Sequence, residues 1–203
     1  MRPWPLLVLL AGCSPRERPF VAAASPPNPA AGRLVMKADG AFAGLEACTA
    51  EVLIDAPARI RMGDFGKALG PAIEGGAKEI AVLVDTPAGE GAVPLPLPAE
   101  PPGVSVWRQG KLVSLWAVGE SPDLPCVRVA PGFDGAWSVV ETGPVKAFLD
   151  GGPADPAPAA SIDGARFVIL WTSREDLLKD VVLSLLALER RFPGKVVLET
   201  SRH

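Results

Sequence analysis

Residues 166–200 read RFVILWTSREDLLKDVVLSLLALERRFPGKVVLET, and the fold class follows from this stretch. Arg166–Trp171 is an apolar run of strand length. Thr172 and Ser173 supply a helix cap, with Asp176 three residues after Ser173 in the capping-box position. Leu177, Leu178, Val181, Val182, Leu185 and Leu188 then recur at helical spacing and predict a helix to about Arg191. Lys179, Asp180, Ser184 and Arg190 point away from that apolar face. Pro193 and Gly194 stop the helix, and Lys195–Thr200 is a closing strand. Strand, helix and strand joined by short loops predict a crossover between parallel strands.

The same pattern occurs earlier. Glu51–Ile54 is a short strand. Phe65, Leu69, Ala72 and Ile73 predict a helix over Met62–Glu74, weakened or kinked by Gly70 and Pro71 and ended by Gly75 and Gly76. Glu79–Asp85 is a buried strand. Placing Val82–Thr86 on Val196–Thr200 aligns Glu51–Thr86 with Ala165–Thr200 without a gap. The fold expected is α/β (α+β): small mixed sheets with amphipathic helices packed on one face, built as two similar strand–helix–strand units. A single larger α/β domain is the alternative.

Around these units, Arg33–Ala38 reads as a strand, with Asp39–Gly40 as a turn. Val104–Val118 reads as a hairpin about Arg108–Lys111, Pro125–Val129 as a strand, and Val139–Leu149 as a short helix. Thr86–Gly103 and Gly151–Ala160 are Pro/Gly-rich. The domain plan is then residues 1–12 as signal peptide, 13–32 as a lipidated disordered tether, 33–86 as the first α/β unit, 87–103 as a linker or loop, and 104–203 as the second unit.

Composition excludes some functions. The net charge is -3 with no basic run, so there is no electrostatic footprint for nucleic acid. The single histidine is the terminal His203, which removes a buried His-based catalytic site, and no His/Cys cluster suits a metal. No cofactor is expected.

The amino terminus has Arg2, a short apolar run Leu6–Ala11, then Gly12 and Cys13. That is the layout of an export signal, and the run is too short to span a bilayer. Leu10-Ala11-Gly12-Cys13 resembles the lipobox of bacterial lipoproteins. The resemblance implies diacylglycerol and fatty acid on Cys13, cleavage before it, and a membrane partner reached through that lipid. Ser14, rather than aspartate, follows the cysteine, which favours an outer-membrane destination facing the periplasm. Residues 14–32, rich in Pro, Ala and Ser, read as the tether.

Residues Val104–Thr200 resemble the periplasmic domain of the ExbD/TolR biopolymer-transport family. The pieces are the hairpin Val104–Val113, the helix Val139–Leu149, the strand Phe167–Trp171, the helix Leu177–Arg191 and the strand Val196–Thr200; Val52–Val84 resembles the second half of the same domain. Family members carry a transmembrane helix with a proton-carrying aspartate, which this sequence lacks. The resemblance therefore implies an accessory domain near such a machine, or a reused fold, and not the ion-driven part.

Two cysteines remain beyond Cys13. An exported chain permits one bridge, Cys48–Cys126, closing a loop of about 78 residues and contributing about 4 kcal/mol in the chain-entropy model; two separate buried thiols are the alternative. Asp55 and Asp85 fall at carboxyl ends of strands, where α/β ligands bind. Asp163, Glu175, Asp176 and Asp180 read as a charged surface. Gly63–Gly66 and Gly132–Gly135 read as turns. Ser138 and Ser161 lack a histidine partner. Trp107 and Trp116, on the expected hairpin, are candidates for a binding face; such residues, like Trp137 and Trp171, more often belong to a core.

The expected role is non-catalytic: a lipid-anchored envelope protein that binds another envelope protein or peptidoglycan, in association with an ExbD/TolR-type transport system. An envelope hydrolase using carboxylates alone, or a purely structural lipoprotein, are the alternatives.

Overall fold

A computed structural model describes residues 17–44, 49–96, 125–144, 164–165 and 167–200. The first unit contains β1 (Gly32–Met36), β2 (Phe42–Ala43), β3 (Glu51–Asp55), α1 (Met62–Glu74), β4 (Glu79–Thr86) and β5 (Gly89–Pro94). The second contains β6 (Pro125–Pro131), a 3-10 turn (Phe133–Gly135), β7 (Trp137–Pro144), β8 (Phe167–Thr172), α2 (Leu178–Arg191) and β9 (Val196–Thr200). The fold is thus α+β, with mixed sheets and amphipathic helices.

Both units have one topology. The first sheet runs β2-β1-β3-β4-β5 and the second β7-β6-β8-β9. In each, an antiparallel hairpin comes first, and its first strand pairs in parallel with the strand before the helix. That strand in turn pairs in parallel with the strand after the helix. Paired strand residues lie 28 apart in both units, Val52 with Ile80 and Val168 with Val196, and the helix starts, Met62 and Leu178, fix the offset between the units. Adding 116 to a residue number of the first unit therefore gives its counterpart in the second. The buried helix residues agree: Met62, Phe65, Ala68, Leu69 and Ala72 match Leu178, Val181, Ser184, Leu185 and Leu188. The alignment of Val82–Thr86 with Val196–Thr200 is two residues out. Strand side chains alternate with a period of two, so a two-residue shift keeps every strand face. Only the helix, with 3.6 residues per turn, distinguishes the two registers.

The two units meet at the starts of their helices. Neither helix has a side-chain cap; Arg61 and Leu177 occupy the two cap positions and form a backbone bridge. Met62 donates its N–H to the Asp176 carbonyl at 2.8 Å, and Leu178 donates to Ile60 at 2.9 Å. Gly63 donates to Arg174 and Lys179 to Ala58, both at 3.0 Å. Each bond maps onto its partner under the 116-residue offset, which describes a local two-fold. First-turn amides, unsatisfied within a helix, thus find acceptors in the other unit. Asp176 still accepts the Ser173 amide at 2.6 Å, but the helix starts five residues after Ser173 instead of directly behind it.

One core spans both units. Leu34, Ile54, Phe65 and Val82 share it with Val129, Leu170, Leu185 and Leu198; burying each such side chain contributes about 1.5–3 kcal/mol. Leu53, Ala81, Leu83 and Ala92 make a smaller cluster on the opposite face of the first sheet.

Several expectations change. Val139–Leu149 is not a helix over its described part: β7 pairs with β6 from Trp137 to Pro144. Val139, Val140 and Thr142 are β-branched, and Gly143–Pro144 breaks a helix. Residues 89–94, placed in the 87–103 linker, form β5 after a two-residue turn. Thr86 Oγ1 closes that turn by donating to Gly89 O at 2.8 Å. Gly63–Gly66 belongs to α1 and not to a turn, whereas Gly132–Gly135 lies at the β6–β7 turn. Pro71 sits in the last turn of α1 with an exposed ring, and the helix continues past it. Ser184 is fully buried and does not point to solvent. It donates to Ala136 O at 2.7 Å, seating the β6–β7 turn on α2. The Val104–Val113 hairpin lies outside the described residues.

Candidate functional site

Residues 17–31, read from sequence as disordered tether, are ordered against the first unit. β4 runs on past the end of β3, and residues 19–21 fill the edge this leaves. Val21 donates to Asp85 O and Asp85 to Pro19 O, both at 2.9 Å. Val21 is buried in the core. Farther on, Ala92 of β5 donates to Ser25 O at 2.8 Å. Gly91 makes this close approach feasible: a Cβ there would lie 2.7 Å from Ala24 Cβ, inside any tolerable contact.

Charge locks the segment in place. Arg33, Asp55, Asp85 and Glu90 alternate with core residues along their strands and so project from the face opposite α1. Arg18 reaches into them. Its Nε donates to Asp55 Oδ1 at 2.7 Å and its Nη2 to Asp55 Oδ2 at 2.9 Å. Its Nη1 donates to Glu90 at 2.6 Å and lies 3.6 Å from Asp85. Arg33 joins the same Glu90 oxygen at 2.9 Å. Asp55 is the one charged residue buried among the described residues, and both its oxygens are engaged by a planar fork that fits a carboxylate. The Asp55 hydrogen bond holds Arg18 more firmly protonated than an ordinary arginine, against the opposing effect of burial. Hydrogen bonds from Arg18 and Arg33 hold Glu90 below its ordinary value.

The second unit has a related device. Arg128 occupies the position of Arg33, because Val127 pairs with Val168 as Gly32 pairs with Val52. Arg128 Nη1 donates to Glu141 at 2.6 Å, and Nη2 lies 3.2 Å from Glu199. Two residues before it, Cys126 is a buried free thiol, pushed up to about 12 by burial, with the Arg128 charge opposing. Cys48, the expected bridge partner of Cys126, lies outside the described residues.

Of the other expected site residues, Cys13, Trp107 and Trp116 also lie outside the described residues. Trp137 is half-buried against the core, with the Arg191 guanidinium 5.7 Å from its ring centre; Trp171 is half-buried. Asp55 and Asp85 come together around Arg18 as ion-pair partners. Among the described residues no His/Cys/Asp/Glu group could hold a metal, and no helix is long and apolar enough to cross a membrane. Sequence reading missed Arg18, Arg33 and Glu90. Each is an ordinary charged residue locally, and only the pairing of distant strands makes them a cluster. No protein-family model, curated protein or solved structure matches the chain.

Proposed function

We propose that this chain is a lipid-anchored cell-envelope protein with a binding or accessory role and no catalytic one, held through lipid on Cys13 at the outer membrane and facing the periplasm. One observation carries the reading. The lipobox Leu10-Ala11-Gly12-Cys13 stands just before a segment that Arg18 fastens to Asp55. Tension on a lipid at Cys13 would pass through few residues into the centre of a sheet, as suits an anchor for a positioned domain.

The partner class is another envelope protein or peptidoglycan. Association with an ExbD/TolR-type transport system draws support from the strand–helix–strand pattern at Phe167–Trp171, Leu177–Arg191 and Val196–Thr200. It draws none from Val139–Leu149, which is strand over its described part. Engagement of Asp55 and Asp85 by Arg18 weighs against using them as a hydrolytic pair. The test is Cys13→Ser in the full chain: the protein should leave the membrane fraction and lose labelling by a fatty-acid probe. Persistent labelling overturns the anchor. Crosslinking in the native envelope with mass spectrometry then identifies the partner.

A further inference from the structure

The end of the molecule where the two helices begin is also where the chain arrives from Cys13. Glu17 O accepts the Ala58 amide at 2.7 Å, and Ala58 O accepts the Lys179 amide at 3.0 Å. Lys179 Nζ stands 5.2 Å from the centre of the Phe133 ring. Phe133 is 78% exposed and Phe20, three residues after Glu17, is 62% exposed. Both far exceed the exposure usual for phenylalanine. The backbone holds Phe133 outward at the β6–β7 turn, where Asp134 adopts a left-handed φ of 55°. Arg59 and Arg174, in the loops before the two helices, are exposed. Of the acids at this end, Glu175 pairs with Arg61 at 2.6 Å, Asp176 takes the Ser173 amide and Asp180 the Asp134 amide, while Glu17 and Asp134 are exposed.

We infer that this end rests on the lipid headgroup layer, with Phe20 and Phe133 as apolar contacts and Arg59 and Lys179 as cations among the phosphates. The inference rests on the Cys13 anchor. Four residues from Cys13 to Glu17 span at most about 14 Å. Helix α2, with 14 residues, is about 21 Å long. A tether that short keeps the helix-start end near the bilayer and the far end, at Lys195, away from it. Exposed rings beside long cationic side chains suit an interface that is apolar below and charged above.

The test uses the full lipidated chain in its native membrane. The photocrosslinker p-benzoylphenylalanine replaces Phe20, Phe133 or, as reference, exposed Lys195. Roughly tenfold more phospholipid adduct is expected at residues 20 and 133 than at 195. Equal adducts at all three, none at 20 or 133, or protein adducts in place of lipid at those two positions overturn the inference. Fatty-acid probe labelling of the same samples separates the two failures. Absent labelling refutes the anchor itself; labelling without lipid adducts at 20 and 133 refutes only the surface.

Discussion

Arg18 and Asp55 are 37 residues apart in sequence and meet in a two-pronged ion pair, with contacts of 2.7 and 2.9 Å. Their side chains are 14% and 5% exposed. Removing one member of such a pair strands the other charge away from water, at about 3–5 kcal/mol. Arg18→Ala is expected to lower stability toward the bottom of that range, about 3 kcal/mol, because Arg33 stands nearby. Arg18→Lys should recover only part, since lysine lacks the planar fork. The double variant Arg18→Met with Asp55→Leu should recover most of the loss. Urea midpoints measure all three, and an Arg18→Ala loss under about 1 kcal/mol would mean that Arg33 alone sustains Asp55.

Glu90 gives the cluster a pH dependence. Its carboxyl is depressed below the ordinary 4.5 by hydrogen bonds from Arg18 and then Arg33. A depressed acid stabilises fully above its unfolded value and loses that contribution as pH falls through the lower folded value. The stability gap between the native chain and Glu90→Gln should therefore be constant above pH 4.5 and close below it. Denaturation at a series of acidic pH values reads the gap; one that widens on acidification contradicts the assignment.

Ser184 replaces, in α2, the Ala68 of α1, and its hydroxyl seats the β6–β7 turn through Ala136 O. Ser184→Ala leaves that carbonyl without this donor and should cost about 1–3 kcal/mol. The turn should loosen first, so hydrogen exchange should quicken at the Gly132 and Ala136 amides before it does in the middle of α2.

Cys126 is expected to resist iodoacetamide in the folded protein at about pH 8, because a thiol raised this far carries almost no thiolate there. Unfolding in urea should release it, and peptide mapping distinguishes it from Cys48. A raised acid stabilises fully below its unfolded value, 9.0, and loses that contribution as pH climbs toward about 12. Cys126→Ala should flatten the alkaline decline in stability. Rapid native alkylation would show β6 opening.

The legible parts of this fold are those held by local periodicity. Leu178, Val181, Leu185 and Leu188 announce α2 because a helix repeats its apolar face every few residues, and the apolar runs beside it announce β8 and β9. β5 was opaque because Gly89–Pro94 has little strand propensity and owes its form to pairing with β4. Arg18 was opaque for a related reason: Pro and Ala around it read as tether, and its order comes from Asp55 and Glu90, which lie far along the chain. Val139 and Val140 favour a strand by their β-branching, and pairing with Val129 and its neighbours gives them that form.

The reciprocal amide bonds at the helix starts have a consequence for inheritance. Each half completes the other's first helical turn, so neither is a self-sufficient module. A change in the length of the 56–61 loop would displace acceptors used by α2, and one in the 173–177 loop would displace acceptors used by α1. The two copies can diverge in surface, partners and even strand number, as β5 shows, while their entry loops must change together or not at all.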